Sequence, residues 1–394
     1  MKWFLCGLCA LVSSTAVAGG EFKVQRFETD ASQGRSGAVR VEEADLIYSS
    51  QVAAATAEEL FDRTEELLGA VGLKLEDVVQ LNVYVTKEED NSKVIKELQE
   101  RSKEKALPAV SWVTMTLPEP EKKPGDDKPK ATMALDFVAA RAASPQSRVM
   151  PSAVDGQRPL AVVPASATSR VFVSGQAEKG DGSVGDATKQ TMASLFKTLK
   201  FLELSAVDVV QVKGFIAPMS KSSDVTKAIR EAFAPLAAPP IVLVEWESQS
   251  QPVEIELIAA TRNPLPEKRP VVEFLTPPEM KSSPVYCKVA RVQSPVTIFL
   301  SGLYGTQSDP DSEAELRDLF AQTKSLAEAA GSDLKHLVKA TYYVSAKGSS
   351  DWHNKLRPEY YDPARPPAAS KAIVKGVGMK GRTITWDMVA VPKE

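Results

Sequence analysis

One phrase is written three times in this chain at a fixed interval, and that regularity limits the fold more than any single residue. Each copy has an apolar alternating stretch, a helical segment, then a Pro followed by a β-rich run. Asp77-Val78-Val79-Gln80 leads to Pro108-Ala109-Val110, Asp208-Val209-Val210-Gln211 to Pro239-Pro240-Ile241, and His336-Leu337-Val338-Lys339 to Pro367-Ala368-Ala369. The intervals Asp77 to Val110, Asp208 to Ile241 and His336 to Ala369 are 33 residues each. Three matches in register mean three copies of one domain.

The length of 394 residues agrees. At about 100–150 residues per domain it accommodates three units, each able to bury a core. The net charge of −3 leaves no basic surface for phosphates, so no nucleic-acid partner is expected. The first residues read as a processing signal. Lys2 is the positive start, Trp3 to Val12 a short apolar run, and Ala16-Val17-Ala18 a small-residue cleavage site before Gly19. Residues 1–18 are therefore expected to be a signal peptide, and the mature chain secreted or periplasmic, with no membrane span after cleavage. Cys6 and Cys9 would leave with it. Cys287 then has no disulfide partner and reads as a small buried apolar residue.

Residues 19–35 read as a loose lead-in. Repeat one is expected at 36–142, repeat two at 149–261, a Pro-rich linker at 262–282 and repeat three at 283–391. In repeat one, Asp45–Tyr48 is a strand, and Leu60, Thr64, Leu67, Leu68 and Val71 share a helical face over 54–71 that Gly72 ends. Gln80–Val85 alternates as a strand, 91–102 is a second helix, 110–117 a strand, 119–130 a charged loop and 132–140 the last strand. Met192, Leu195, Phe196, Leu199 and Leu202 repeat the first helical face in repeat two, and Leu316, Leu319, Phe320, Thr323, Leu326 and Ala330 in repeat three, with Gly331 as the stop. Two helices cover one face of such a sheet. The other face, expected to carry apolar residues such as Val83 and Val85 or their partners, must be buried on something else. The other two copies supply that surface, which implies three sheets around a pseudo-threefold axis with helices outside.

The motifs within the copies resemble the RidA/YjgF family of reactive-intermediate deaminases, once per repeat over nearly all the mature chain. Val171-Phe172-Val173-Ser174-Gly175-Gln176 and Val253-Glu254-Ile255-Glu256-Leu257-Ile258-Ala259 match its strand-and-SGQ turn and its closing strand. Phe299-Leu300-Ser301-Gly302, Tyr286 near a PY position, and Asn354 at a helix Asn carry the likeness in repeat three; Ser49-Ser50-Gln51 and Asp136 carry it in repeat one. The resemblance implies an α+β, chorismate-mutase-like (RidA-type) fold. Family members are homotrimers with a small-molecule pocket at each subunit boundary, so here one monomeric chain would act as an intramolecular pseudotrimer. Family enzymes hydrolyse 2-imino acids to 2-keto acids and ammonia without metal or cofactor. The resemblance therefore implies no cofactor, a small carboxylate or imine-like ligand, and Ser174, Gly175, Gln176, Tyr286, Ser301, Gly302 and Asn354 as ligand-binding residues.

That chemistry needs a cation for the substrate carboxylate, and the planar fork of Arg suits it. The family places this Arg directly after Pro-Ala. The matching positions are Val110, Ile241 and Ala369, so all three copies have lost it. The pocket acid survives as Glu254, the candidate catalytic residue, but is Ala134 and Thr385 in the other copies. Arg365, four residues before Ala369, is a candidate replacement cation, with a surface turn as the plainer reading; Lys227, at the helix-Asn place of repeat two, reads as a solvated helix lysine. His336 and His353 lack metal-ligand spacing, and no phosphate loop or nucleophile elbow is visible. Trp112, Trp246 and Trp386 recur on the late strands as packing residues. Two functional readings follow: a pseudotrimer without standard imine deaminase activity that binds a small molecule or partner at inter-repeat clefts, or a divergent imine-deaminase-type hydrolase using one surviving cleft. Nucleic-acid cleavage fits the acidic balance worst.

Overall fold

A computed structural model describes residues 22–102, 106–118, 129–143, 153–165, 169–247, 250–261, 269–281 and 283–393. The expected signal segment, most of the charged loop at 119–130, and linker residues 262–268 lie outside them. The lead-in and repeat one contain β1 (Lys23–Asp30), β2 (Arg35–Glu42), β3 (Ala44–Ser49), β4 (Val52–Ala54), α1 (Ala57–Gly69), β5 (Val78–Val85), α2 (Asn91–Ser102), β6 (Ala109–Thr114) and β7 (Met133–Ala142). Repeat two contains β8 (Leu160–Val163), β9 (Arg170–Gln176), α3 (Val184–Phe201), β10 (Val209–Ile216), α4 (Ser222–Phe233), β11 (Ile241–Glu245) and β12 (Val253–Ala260). The linker and repeat three contain β13 (Val272–Leu275), β14 (Val289–Val292), β15 (Val296–Ser301), α5 (Glu313–Ala329), β16 (Leu337–Val344), α6 (Lys347–Tyr360), β17 (Ala368–Ile373) and β18 (Ile384–Ala390).

The first helix of each repeat starts at a hydroxyl cap. The side chains of Thr56, Ser183 and Ser312 accept from the backbone N–H groups of Glu59, Asp186 and Glu315, meeting donors the helix leaves unpaired. The same four-strand order recurs three times, as β6-β5-β7-β3, β11-β10-β12-β9 and β17-β16-β18-β15; β2 joins the first and third into one sheet, and the second forms another. The strand after each second helix runs parallel to the middle strand, because the helix provides the crossover that parallel pairing requires. The last strand returns antiparallel. The result is an α+β fold of curled sheets.

Helices cover one sheet face in each repeat. In repeat one, Leu60, Phe61, Leu68, Val94 and Leu98 pack with Leu81, Val83 and Val85. Val83 and Val85 thus face the helices, which corrects their expected placement; the apolar residues of the opposite face are others, Val79 and Val138 among them. The opposite face of β5 carries Gln80, Asn82 and Tyr84, all buried. Alternation reveals two faces, but not which one meets the helices.

The repeats exchange strands. β8 pairs with β3 of repeat one, β14 with β9 of repeat two, and β2 with β15 of repeat three. An apolar layer joins all three, with Val79 and Val138, Phe172 and Ile258, and Phe299 and Val389 in one cluster. Cys287 lies in it, buried and unpaired, with burial pushing its thiol up to about 12.

Two stretches read as coil are strands. The lead-in forms β1, which pairs along β2, while Phe22 and Val24 pack on the shared layer and Phe27 on the core of repeat three. The linker contains β13, paired with β14. In both, a few apolar residues among polar ones find a waiting strand edge, which local composition does not display.

Candidate functional site

The inward faces of the middle strands form a buried polar cluster. Gln80, Gln211 and Lys339 hold one register position, and Asn82, Lys213 and Thr341 the next inward one. The closing strands place Asp136, Glu256 and Asp387 opposite Asn82, Lys213 and Thr341. In a homotrimer these positions would be identical, and three like charges would meet; here they differ and pair. Gln80 Nε2 donates to Asp387 and, at 3.2 Å, to Ser301 Oγ. Gln211 Nε2 donates to the Ser49 carbonyl at 2.9 Å, and Lys339 Nζ lies 2.9 Å from Glu256 Oε1. Each of these side chains reaches into a different repeat from its own: one into three, two into one, three into two.

Within repeat one, Asn82 and Tyr84 donate to Asp136 at 2.8 and 2.6 Å. Burial raises the Asp136 carboxyl, and Lys213 opposes that. Burial also disfavours the charge of Lys213, but Tyr343, Asp136, Asp387 and Glu256 outweigh it and keep the ammonium protonated. The enclosed space beside Tyr48, Gln80, Lys213 and Lys339 is about 20 Å³ for the centre of a water molecule. It has room for a water or two and none for a metabolite. The cluster therefore orders the repeats and is not the ligand site.

The boundary of repeats two and three is built differently. The turn Ser174-Gly175-Gln176 ends β9, and the Gly175 N–H donates to Ser370 Oγ on β17 at 3.1 Å. Glu254 projects beside this turn, so a Cβ at Gly175 would collide with its carboxylate. Ser370 also favours the charged form of the Glu254 carboxyl. Burial, then the neighbouring Glu256, pushes the Glu254 carboxyl up to about 7, against the pull of Ser370 and Lys288. The Lys288 ammonium stands 5.0 Å from the centre of the Tyr286 ring, and its carbonyl accepts from the Ser174 N–H. Glu254, Gly175, Ser370, Lys288 and Tyr286 thus gather at one boundary. Ser174 is buried there with its Oγ unpartnered, whereas the Gln176 amide turns away to donate to Thr198.

The remaining candidates lie elsewhere. Ser301 donates to Asp387 at 2.6 Å in the axial cluster. Gly302, at φ +64°, sits against the Val110 carbonyl at the boundary of repeats three and one. Gln51 meets Ile241 and Leu243 at the boundary of one and two through two hydrogen bonds of 3.2 Å. Arg365 donates to the Lys335 carbonyl at 3.1 Å and lies over the Phe274 ring. Lys227 is an exposed helix residue facing Glu231. Asn354 projects from α6 toward Lys371. Val110, Ile241 and Ala369 share one register position, opposite Leu81, Val212 and Ala340; the first two are core residues, and Ala369 packs against the core of repeat three. His336 joins Asp333 at 2.7 Å, and His353 is buried against the Tyr342 ring. All three tryptophans are buried in their repeats. Among the described residues there is no group of three or more potential metal ligands, and no helix long and apolar enough to cross a membrane.

The sequence reading missed the axial cluster and the role of Ser370. Gln80, Asn82 and Lys213 look like the solvated side of a strand. The signal for them was their recurrence at the same place in every copy.

Residues 159–261 match the family model described as endoribonuclease L-PSP. No curated protein matches the chain. Among solved structures, a YjgF family member from Neisseria meningitidis is 19% identical over 31% of this chain and 96% of its own, with a TM-score of 0.24. A Rid family protein of unknown function from Yersinia pestis is 18% identical over 31% and 98%, with a TM-score of 0.25. A YjgF/YER057c/UK114 family member from Mycobacterium tuberculosis is 24% identical over 27% and 88%, with a TM-score of 0.22. The match to this family thus covers residues 159–261, the segment that holds Ser174-Gly175-Gln176 and Glu254.

Proposed function

We propose that the chain is an exported, self-contained pseudotrimer of RidA-type domains, sheets inside and helices outside. It binds a small carboxylate or imine-like molecule at the boundary of repeats two and three, and it lacks standard 2-imino acid deaminase activity. The cyclic order of strand exchange and of axial contacts supports the architecture. The observation that carries the functional reading is the shared register of Val110, Ile241 and Ala369, where the family's guanidinium would stand. Without that arginine a substrate carboxylate loses a charge-assisted hydrogen bond worth about 1.5–3 kcal/mol. Glu254 is met instead by Ser370 and Lys288.

A second reading has one observation in its favour. A carboxyl that burial and Glu256 push up to about 7 is suited to exchange protons at neutral pH. On that reading Glu254 serves a divergent imine hydrolase as acid/base. A coupled assay on freshly generated 2-iminopropanoate separates the two. The binding reading expects decay at the buffer rate, with calorimetry showing uptake of 2-oxobutanoate that Gly175→Ala weakens. Acceleration abolished by Glu254→Gln establishes the hydrolase and removes the first reading.

A further inference from the structure

We propose that a halide-sized anion binds beside the guanidinium of Arg170, where strands of all three repeats meet. Tyr48, Phe172 and Phe299 hold one register position, opposite Val138, Ile258 and Val389. Two residues earlier the copies carry Leu46, Arg170 and Thr297, all buried. Only repeat two places a charge there. Arg170 opens β9, whereas the Ser174-Gly175-Gln176 turn beside Glu254 ends it, so the inference goes beyond the reading of that cleft.

The buried guanidinium is met by neutral groups. Its Nη2 donates to the carbonyls of Ser294 and Val296 at 2.7 and 3.2 Å. No carboxylate pairs with it among the described residues; the titratable group that acts on it is Tyr48, whose phenol burial pushes up to about 12 and so keeps neutral. Asp45 on β3 turns instead to the Ala165 N–H, at 2.7 Å, and to Arg141, at 3.6 Å. Lys213 and Lys339, buried on the middle strands, differ in facing carboxylates. Burial lowers Arg170 only to about 10, so it remains charged at neutral pH. A cavity lies against it, lined also by Ala44 and Leu46 of repeat one, Val163 of repeat two, and Ser294 and Pro295 of repeat three, with no acidic residue in its wall. Its space for the centre of a water-sized particle is about 10 Å³, room for one such particle. A chloride ion is close to that size, while a carboxylate or phosphate group is larger. A buried charge without a partner is strongly disfavoured, and an arginine cannot shed its proton to escape that cost. One halide accepting from the guanidinium supplies the missing charge.

Thermal unfolding of the full mature chain, with sodium chloride replacing sodium gluconate at constant ionic strength, tests this. The melting temperature should rise by about 1–2 °C for each tenfold increase in chloride above half-saturation, and bromide should act alike. Arg170→Leu, which installs the residue that repeat one carries at this position, should abolish the rise. A crystal of the unaltered protein soaked in sodium bromide should show an anomalous bromide peak in the cavity beside Arg170. A melting temperature indifferent to chloride, a rise that Arg170→Leu leaves intact, or a bromide crystal with water beside Arg170 and halide only at the surface overturns the proposal.

Discussion

Replacing Lys339 with Met should destabilise the chain through one buried carboxylate. Lys339 and Glu256 are 8% and 3% exposed, and their charged groups stand 2.9 Å apart. Removing one partner of a buried ion pair costs about 3–5 kcal/mol, because the remaining charge stays desolvated. Lys213 also faces Glu256, so the loss should sit at the lower end, about 3 kcal/mol. Adding Glu256→Gln removes the stranded charge and should recover most of the loss, leaving about 1 kcal/mol. Urea unfolding followed by tryptophan fluorescence reads this, with the midpoint moving at constant slope. Burial works against the Glu256 charge, yet Lys339 and Lys213 together hold its carboxyl below the ordinary value. Its stabilisation is therefore present above the unfolded value of 4.5 and lost as pH falls through the folded one, and Lys339→Met should shrink that acid-side loss. A single-mutant loss under about 1 kcal/mol, or a double mutant no better than the single, would refute the reasoning.

Other consequences can be checked independently. Gly302→Ala should cost at least about 1–3 kcal/mol, because φ is +64° and the added carbon meets the Val110 carbonyl; thermal melts should show the drop, and an unchanged melt would contradict that packing. Cys287 should resist iodoacetamide in the native chain and react on unfolding, since its thiol is buried and pushed up to about 12; rapid native labelling would count against its placement. The Glu254 carboxyl is raised from 4.5 to about 7, so the folded state holds its proton longer and stability should fall as pH rises through that window; Glu254→Gln should flatten that decline, and an unaltered pH profile would argue against the shift.

The sequence carried the α+β class and much of the order of helices and strands because its evidence is periodic. Asn91–Ser102 was readable as a helix from spacing, and the common interval aligned Val110, Ile241 and Ala369 before any strand pairing was known. What it did not carry depends on partners far along the chain. The lead-in becomes β1 only because β2 offers an edge, and Val272–Leu275 is a strand only beside β14. Gln80 resembles a surface residue until Asp387 and Ser301, more than two hundred residues away, are placed against it. Glu254 was visible as a motif, while its proton affinity comes from burial and Glu256 in the folded boundary, with Ser370 of another repeat holding it down. Arg170 carried no motif at all; it matters because residues of all three repeats close a cavity against it.

The central claim is that one chain supplies all three mutually unlike boundaries. Sedimentation equilibrium of the mature protein across a wide dilution series tests it directly. The account predicts a folded species with the mass of a single chain that persists unchanged on dilution, because tethered repeats need no bimolecular assembly. A trimer of chains that loses its structure as it dissociates would contradict it.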